Sequence, residues 1–309
     1  MTTTTTPPTA TASLLATSLH ATLDDAFIYR GMCDASAAAA LGPDLFVAAN
    51  DERNQLKVYR RGQSEPIEEV DLSEFLVTKV DKESDLEGAA TIGDRIYWIS
   101  SHGRNKKGKF QERRHRFFAT ELKDGHLVPV GKPYAKLLDD MIAAPQLQQF
   151  GLTEASGKMP EDVGALNIEG LAATPQGGLL IGLRNPGALV IELLNPAEVI
   201  EGQPAVLGAG IELDLGGLGI RSLELVGSAY MIVAGPPADT GHFALYQWSG
   251  NPADKPVSLG HQDFEQVRPE ALFVIPGTRQ VQLLSDDGGE HVKAMPLEEQ
   301  TFQSVTITL

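Results

Sequence analysis

The chain has 309 residues, of which 42% are hydrophobic and 21% charged, a composition ordinary for a globular protein. Its 25 Lys and Arg against 41 Asp and Glu give a formal net charge of −16, which opposes binding to nucleic-acid backbones and to anionic lipid surfaces. The single cysteine, Cys33, excludes an internal disulfide framework and a cysteine-rich zinc site. We therefore expect neither a nucleic acid nor a membrane as partner, and composition leaves the oligomeric state open.

The N-terminal segment consists almost only of Thr, Pro and Ala. Residues 1–20 cannot bury a core, so we predict a disordered tail followed by a single folded domain over residues 21–309. No Lys or Arg precedes the mildly apolar stretch 13–21, whereas a secretory signal begins with a positive region. These features predict a cytoplasmic protein.

A degenerate repeat runs through the rest of the chain, where short β-type runs recur and helical periodicity is scarce. Each repeat has a polar start, an apolar strand, a turn and a second apolar strand; the five copies occupy residues 34–51, 85–102, 167–184, 222–235 and 269–287. A third strand-like run follows each pair, and in the fifth copy we place it at Val292–Met295. Either 305–309 or 26–29 would complete that last unit.

Four antiparallel strands repeated around a ring form a β-propeller, so the sequence predicts an all-β fold. Five repeats give roughly 55 to 60 residues per blade, which favours five blades, with six as the alternative. The spacing of Leu137, Leu138, Met141 and Ile142 predicts a short helical insertion around residues 136–152.

The first strand of each propeller blade lines the central channel, so equivalent positions of the five strands converge at one mouth. Alignment of the repeats places Ser36 and four glutamates at one such position: Glu87, Glu169, Glu224 and Glu270. Crowded carboxylates repel one another, so we expect a divalent cation, Ca²⁺ or Mg²⁺, bound by these glutamates and by Asp85. Alternatively, each glutamate binds backbone N–H groups of the adjacent blade and links the ring.

The second blade carries a basic insertion with seven Lys or Arg between residues 104 and 116. Such a loop beside a metal would bind an anionic group such as phosphate, whereas a plainer interpretation is a solvated loop that offsets the acidic rim. We predict a small anionic molecule as partner. The expected catalytic residues are His102, with an ordinary pKa of about 6.5, Arg104 and Arg184. The expected substrate-binding residues are Lys106, Lys107, Asn185, Arg221, Arg268 and Asp286. The arginines could equally be plain counter-charges to the glutamates.

Several stretches of the sequence resemble one bacterial propeller family. They are Gly31–Ala38, Ser84–Ala90 with Tyr97–Lys107, Asn167–Ala173 with Arg184–Pro186, Leu215–Arg221, Pro269–Leu272 and Leu284–Gly288. The family is domain of unknown function 3616, so the resemblance implies the fold and the map of the site but no activity. A more distant likeness to esterase-like phytase propellers, in the Asp-x-Glu-Gly pattern of Asp85, Glu87 and Gly88, implies phosphoester chemistry.

Together these features predict a metal-dependent hydrolase of a small anionic substrate, a phosphoester. Propellers also serve as non-catalytic modules, so a ligand- or protein-binding propeller that uses the same mouth is an alternative. A lactonase-like sugar-acid hydrolase with the same metal geometry is a third possibility, which the concentrated Lys/Arg loop disfavours.

Overall fold

The computed structural model describes residues 22–23, 26–50, 52–79, 82–160, 162–237, 241–260, 264 and 267–309. The predicted tail over residues 1–20 lies outside this part of the chain. Two short strands come first, β1 (Thr22–Leu23) and β2 (Phe27–Arg30).

The following strands form four successive antiparallel sheets, each a four-stranded blade of contiguous chain. Blade 1 contains β3 (Ala35–Ala40), β4 (Leu45–Asn50), β5 (Gln55–Arg60) and β6 (Pro66–Asp71). Blade 2 contains β7 (Leu86–Ile92), β8 (Arg95–Ser100), β9 (Phe117–Lys123) and β10 (His126–Tyr134). Blade 3 contains β11 (Asn167–Ala173), β12 (Leu179–Asn185), β13 (Leu189–Leu193) and β14 (Leu207–Glu212). Blade 4 contains β15 (Gly219–Val226), β16 (Ala229–Gly235), β17 (Ala244–Trp248) and β18 (Val257–Ser258).

The fifth blade closes the ring with strands from both ends of the described chain. It contains β19 (Pro269–Val274), β20 (Gln280–Ser285) and β21 (Thr301–Thr308), and both β1 and β2 pair with β21. The chain is thus an all-β, five-bladed propeller; the six-bladed alternative is wrong. The strand expected at Val292–Met295 is also wrong, because a helical turn occupies most of that segment.

Helices are short and lie between strands. They are α1 (Leu137–Ala143), α2 (Leu152–Ala155), α3 (Pro196–Val199) and α4 (Glu290–Lys293), with 3-10 helices at Glu112–Arg114, Pro145–Phe150 and Leu297–Glu299. The predicted helical insertion around residues 136–152 is confirmed. The apolar face of α1 packs through Leu137, Leu138 and Met141 into the core between blades 2 and 3, as the helical spacing requires.

Apolar side chains fill the space between each pair of adjacent blades. The core between blades 5 and 1 is aromatic, with Tyr29 of β2 packed against Phe46, Tyr59 and Phe302 at ring-centroid distances of 5.0–5.3 Å. Burying such a ring contributes about 1.5–3 kcal/mol, so these cores fix the blades around the channel. Among the described residues, no helix is long and apolar enough to cross a membrane.

Candidate functional site

A β-bulge in the innermost strand of every blade positions the residues at the channel mouth. In β7, Leu86 pairs with Ser100 and Gly88 with Ile99, so Glu87 is the extra residue between them. The other innermost strands have the same irregularity, and the five extra residues are Ser36, Glu87, Glu169, Arg221 and Glu270. A bulge re-aims one side chain out of the regular alternation, which explains why these five positions are equivalent.

The fourth blade departs from the sequence alignment. Its bulge residue is Arg221, whereas the predicted equivalent, Glu224, pairs with Met231 three residues further along β15. The Glu224 carboxyl group accepts a hydrogen bond from the backbone of Val274, and burial raises its pKa to about 8. Glu224 is absent from the lining of the mouth, so its place in the predicted ring of four glutamates is wrong.

A cavity of about 450 Å³ occupies this mouth. Ten of the predicted site residues line it: Asp85, Glu87, Lys106, Lys107, Glu169, Arg184, Arg221, Arg268, Glu270 and Asp286. Further lining residues that the sequence did not single out include Glu52, Glu83, Arg114, Phe243 and Lys293. Seven acidic and seven basic side chains line the cavity, so the mouth is balanced in formal charge although the chain carries −16.

Two buried arginines join the carboxylates of the bulges. Arg184 Nη1 lies 2.7 Å from Glu169 Oε1, and Arg221 Nη1 lies 3.3 Å from Glu169 Oε2 and 2.8 Å from Glu270 Oε1. Asn167 Nδ2 also donates to Glu169 Oε1 at 2.8 Å. Arg221 therefore connects blades 3, 4 and 5 through one guanidinium, which also lies over the ring of Phe243 at 5.7 Å.

Arg114 has the corresponding position beside the second blade. Its guanidinium donates to Asp85 and to Glu83, the latter at 3.0 Å. Arg114 is the last residue of the 3-10 helix in the basic insertion, which the sequence identified only as a charged segment. Its pairing with Asp85 could not be inferred from spacing, because the two residues lie 29 positions apart.

Two carboxyl groups meet at the seam between blades 5 and 1. Asp34 and Asp286 form an isolated antiparallel bridge, and their side chains are hydrogen-bonded to each other. Burial raises the pKa of Asp286 to about 9, and the nearby carboxylates of Glu270 and Asp34 raise it further. The raised pKa favours the protonated form of Asp286, while Lys293 Nζ lies 3.2 Å from Asp34 Oδ1.

His102, Arg104 and Asn185 do not line the mouth cavity. His102 is buried with Nδ1 2.7 Å from the carbonyl oxygen of Ser100, so Nδ1 carries the proton of the neutral ring. Burial lowers the pKa of His102 to about 3, which contradicts the expected value near 6.5. Arg104 donates to the carbonyl oxygens of Ser156 and Gly108 and thereby links the two insertions of blade 2. Asn185 is buried opposite Asn167 at the end of β12.

The basic insertion divides into two kinds of residue. Arg113 and Arg116 donate to backbone carbonyl oxygens and fold the loop, whereas Lys106 and Lys107 are exposed at the mouth. Arg268, from the start of blade 5, is exposed on the same cavity. No ion pair joins these last three cations to another residue within the described ranges.

The predicted Ca²⁺ or Mg²⁺ site can be compared with this donor set. The guanidinium groups of Arg184 and Arg221 already lie within 3.3 Å of the Glu169 and Glu270 oxygens that would bind a hard cation. Within the described residues, no group of three or more His, Cys, Asp or Glu side chains is arranged to bind a metal ion. Glu169 and Glu270 therefore already have counter-charges in this arrangement, and the Ca²⁺ or Mg²⁺ site stays a prediction.

A family model described as "Protein of unknown function (DUF3616)" matches residues 132–282, from β10 to β20. The match confirms the resemblance to this family over these residues. The match includes the bulge residues of blades 3, 4 and 5 and therefore the Arg221 connection. The likeness to esterase-like phytase propellers stays a prediction.

The chain is also similar to solved structures at low sequence identity. The major allergen Mala s 1 of Malassezia sympodialis is 10% identical with a TM-score of 0.57, over 92% of this chain and 96% of that one. The PQQ-bound aldose sugar dehydrogenase of Streptomyces coelicolor is 11% identical with a TM-score of 0.47, over 92% and 98%. No curated protein matches the chain.

Proposed function

We propose that the mouth cavity binds a small ligand through an anionic group, phosphate or carboxylate. The observation that carries this proposal is the distribution of paired and unpaired charge. The acids Asp85, Glu169 and Glu270, which are buried or half-buried, contact Arg114, Arg184 or Arg221. In contrast, Lys106, Lys107 and Arg268 have no ionic partner among the described residues. The charge available to a ligand is therefore positive, and exposed cations of this kind bind phosphate or carboxylate through charge-assisted hydrogen bonds.

The same distribution argues against a metal-centred mechanism. A divalent cation at the bulges would have to displace two buried guanidinium groups, each of which would then lose its counter-charge at a cost of several kcal/mol. We therefore expect anion binding to persist in EDTA and to gain little from Ca²⁺ or Mg²⁺.

Calorimetric titration with inorganic phosphate, phenyl phosphate and acetate in EDTA tests the proposal. We expect the double variant Lys106→Ala/Lys107→Ala and the variant Arg268→Ala each to weaken binding by about tenfold or more, because a charge-assisted hydrogen bond contributes roughly 1.5–3 kcal/mol. The matched control is Lys123→Ala/Lys132→Ala, which removes two exposed cations from β9 and β10. The proposal would be refuted if the unmodified protein and the three variants bound the anions with equal affinity, or if no anion bound.

Hydrolysis of a phosphoester is a second candidate function, favoured by one specific observation. Asp286 lines the same cavity as Arg268, and its raised pKa favours the protonated form that a general acid needs. In such a reaction water adds to phosphorus, the ester P–O bond breaks, and the Asp286 proton passes to the leaving oxygen.

Two substrates separate this candidate from binding alone. Phenyl phosphate has a poor leaving group that needs a proton, whereas 4-nitrophenyl phosphate does not. An Asp286→Asn variant that loses turnover of phenyl phosphate selectively would support the hydrolase. If the protein binds both compounds and forms no product, the result would support a non-catalytic binding propeller instead of a hydrolase.

A further inference from the structure

A second cavity adjoins the mouth at the edge of blade 5. Its volume is about 700 Å³, and four residues line both cavities: Phe243, Arg268, Asp286 and Gly288. The mouth and this side cavity are thus adjacent, and the exposed residue Arg268 lies between them.

The wall of the side cavity is more apolar than the mouth. Besides Phe243, it includes Ile28 of β2, Phe264, Val267 and Val292 of α4. Phe264 and Val267 belong to the core between blades 4 and 5, while Ile28 is 52% exposed. Ile28 is exposed, and Val292 and Phe243 are half-buried, so apolar surface faces this cavity. A ligand in the cavity would remove that surface from water.

We propose that the ligand is an amphiphile, with its anionic group in the mouth and an alkyl or aryl chain in the side cavity. This inference rests on the proposed function of the mouth. The mouth offers the cations Lys106, Lys107 and Arg268 to an anionic group, and the side cavity offers aliphatic side chains to an apolar chain. Phe243 lines both cavities. The net charge of −16 disfavours anion binding on the protein at large, whereas the exposed cations at the mouth favour it there.

A homologous series of ligands measures the contribution of the side cavity. Inorganic phosphate and butyl, hexyl and octyl phosphate are titrated into the protein in EDTA, below the concentration at which octyl phosphate forms micelles. Each methylene that is fully buried should raise the affinity about fourfold. We expect the increase to be reduced in Ile28→Ser/Val292→Ser, with the affinity for inorganic phosphate unchanged.

The control variant is Val257→Ser, which removes an exposed valine from β18, outside both cavities. It should retain the dependence on chain length. The same dependence in Ile28→Ser/Val292→Ser as in the unmodified protein would overturn the inference.

The outcomes distinguish the two proposals. If inorganic phosphate binds and chain length has no effect, the amphiphile inference falls and the anion site survives. If no phosphate compound binds, both fall. A third outcome is a dimer, seen by sedimentation, that dissociates in Ile28→Ser/Val292→Ser, together with an affinity for alkyl phosphates that does not rise with chain length. In that case a second copy of the chain occupies the side cavity, and the inference is wrong.

Discussion

Arg221 connects more of the site than any neighbouring side chain. It is 3% exposed, contacts Glu169 from blade 3 and Glu270 from blade 5, and stacks on Phe243. A buried charge is tolerated only where others compensate it, so the arginine and the two glutamates depend on one another. The repulsion that the sequence predicted for converging carboxylates is therefore relieved by a guanidinium from a neighbouring bulge.

Replacing this arginine should be costly. Arg221→Met leaves the buried carboxylate of Glu169 and the half-buried carboxylate of Glu270 without their shared cation. We expect a loss of about 3–5 kcal/mol in the free energy of unfolding, measured by urea denaturation. The control Arg95→Met removes the partner of Glu121 in a pair that is about one third exposed, for which we expect less than about 1 kcal/mol. A loss in Arg221→Met no larger than in the control would contradict this interpretation. Adding Glu169→Gln and Glu270→Gln to Arg221→Met should recover part of the lost free energy of unfolding.

Most of the mouth could be predicted residue by residue, and the exceptions have physical reasons. Glu87, Glu169 and Glu270 recur before a small residue at the start of a strand, which sequence alignment detects. Glu224 was misplaced because it precedes Leu225; the equivalent pair in blade 4 is Arg221-Ser222. Arg114 and Lys293 lie on an insertion and on a helical turn outside the repeat, so no periodicity indicates that they reach the mouth.

At the level of elements, the β-bulge and the small residue after it act together in the innermost strands. A Cβ atom on Gly88 would lie 2.9 Å from Ile99 Cγ2 and 3.0 Å from Leu171 Cβ, so the innermost strands of blades 2 and 3 approach each other too closely for a side chain. Gly170 is equally confined by Ile220 of the next blade. The Glu-Gly pair therefore aims the carboxylate and permits this close packing together.

An alanine at the second position of this pair should separate the strands. The Cβ atom in Gly170→Ala would lie 2.9 Å from Ile220 Cγ2, and we expect a loss of about 1–3 kcal/mol in unfolding free energy by thermal or urea denaturation. Gly289→Ala is the matched control, because Gly289 has φ −136° and open space where the methyl group would lie. Adding Ile220→Ala to Gly170→Ala should partly relieve the crowding. Equal stability of the two single variants would refute the argument.

The strands themselves were predictable because their alternation and turns recur in every repeat. The third strand of blade 5 was not, since the sequence offered Val292–Met295 and the sheet uses Thr301–Thr308. An isolated apolar run of four residues does not distinguish a strand from a helical turn; pairing with β20 and β2 decides it.

For the molecule as a whole, two buried carboxyl groups make stability depend on pH. The pKa of Asp286 is raised to about 9 and that of Glu224 to about 8, mainly by burial, whereas both titrate near 4 in the unfolded chain. Between these limits the native state binds more protons than the unfolded state, so the free energy of unfolding falls as pH rises from about 5 to about 9.

Isosteric amides reveal this contribution. Asp286→Asn and Glu224→Gln each remove a group that binds a proton in the native state, so each should flatten the decline in unfolding free energy between pH 5 and pH 9. Urea denaturation at pH 5, 7 and 9 measures the slope. Glu298→Gln changes an exposed carboxyl group and should keep the slope of the unmodified protein. Unchanged slopes in the first two variants would show that these groups are not buried as protonated acids.

Closure of the fifth blade imposes an order on biosynthesis. Blades 1 to 4 each consist of contiguous residues and can pair as soon as they leave the ribosome, whereas β2 finds its partner only after residues 301–304 have been made. Until then Tyr29 lacks Phe302, and the edge of β20 has no neighbouring strand. A nascent chain therefore carries four finished sheets and one open seam, and unpaired strand edges with exposed aromatic rings are where aggregation begins or a chaperone binds.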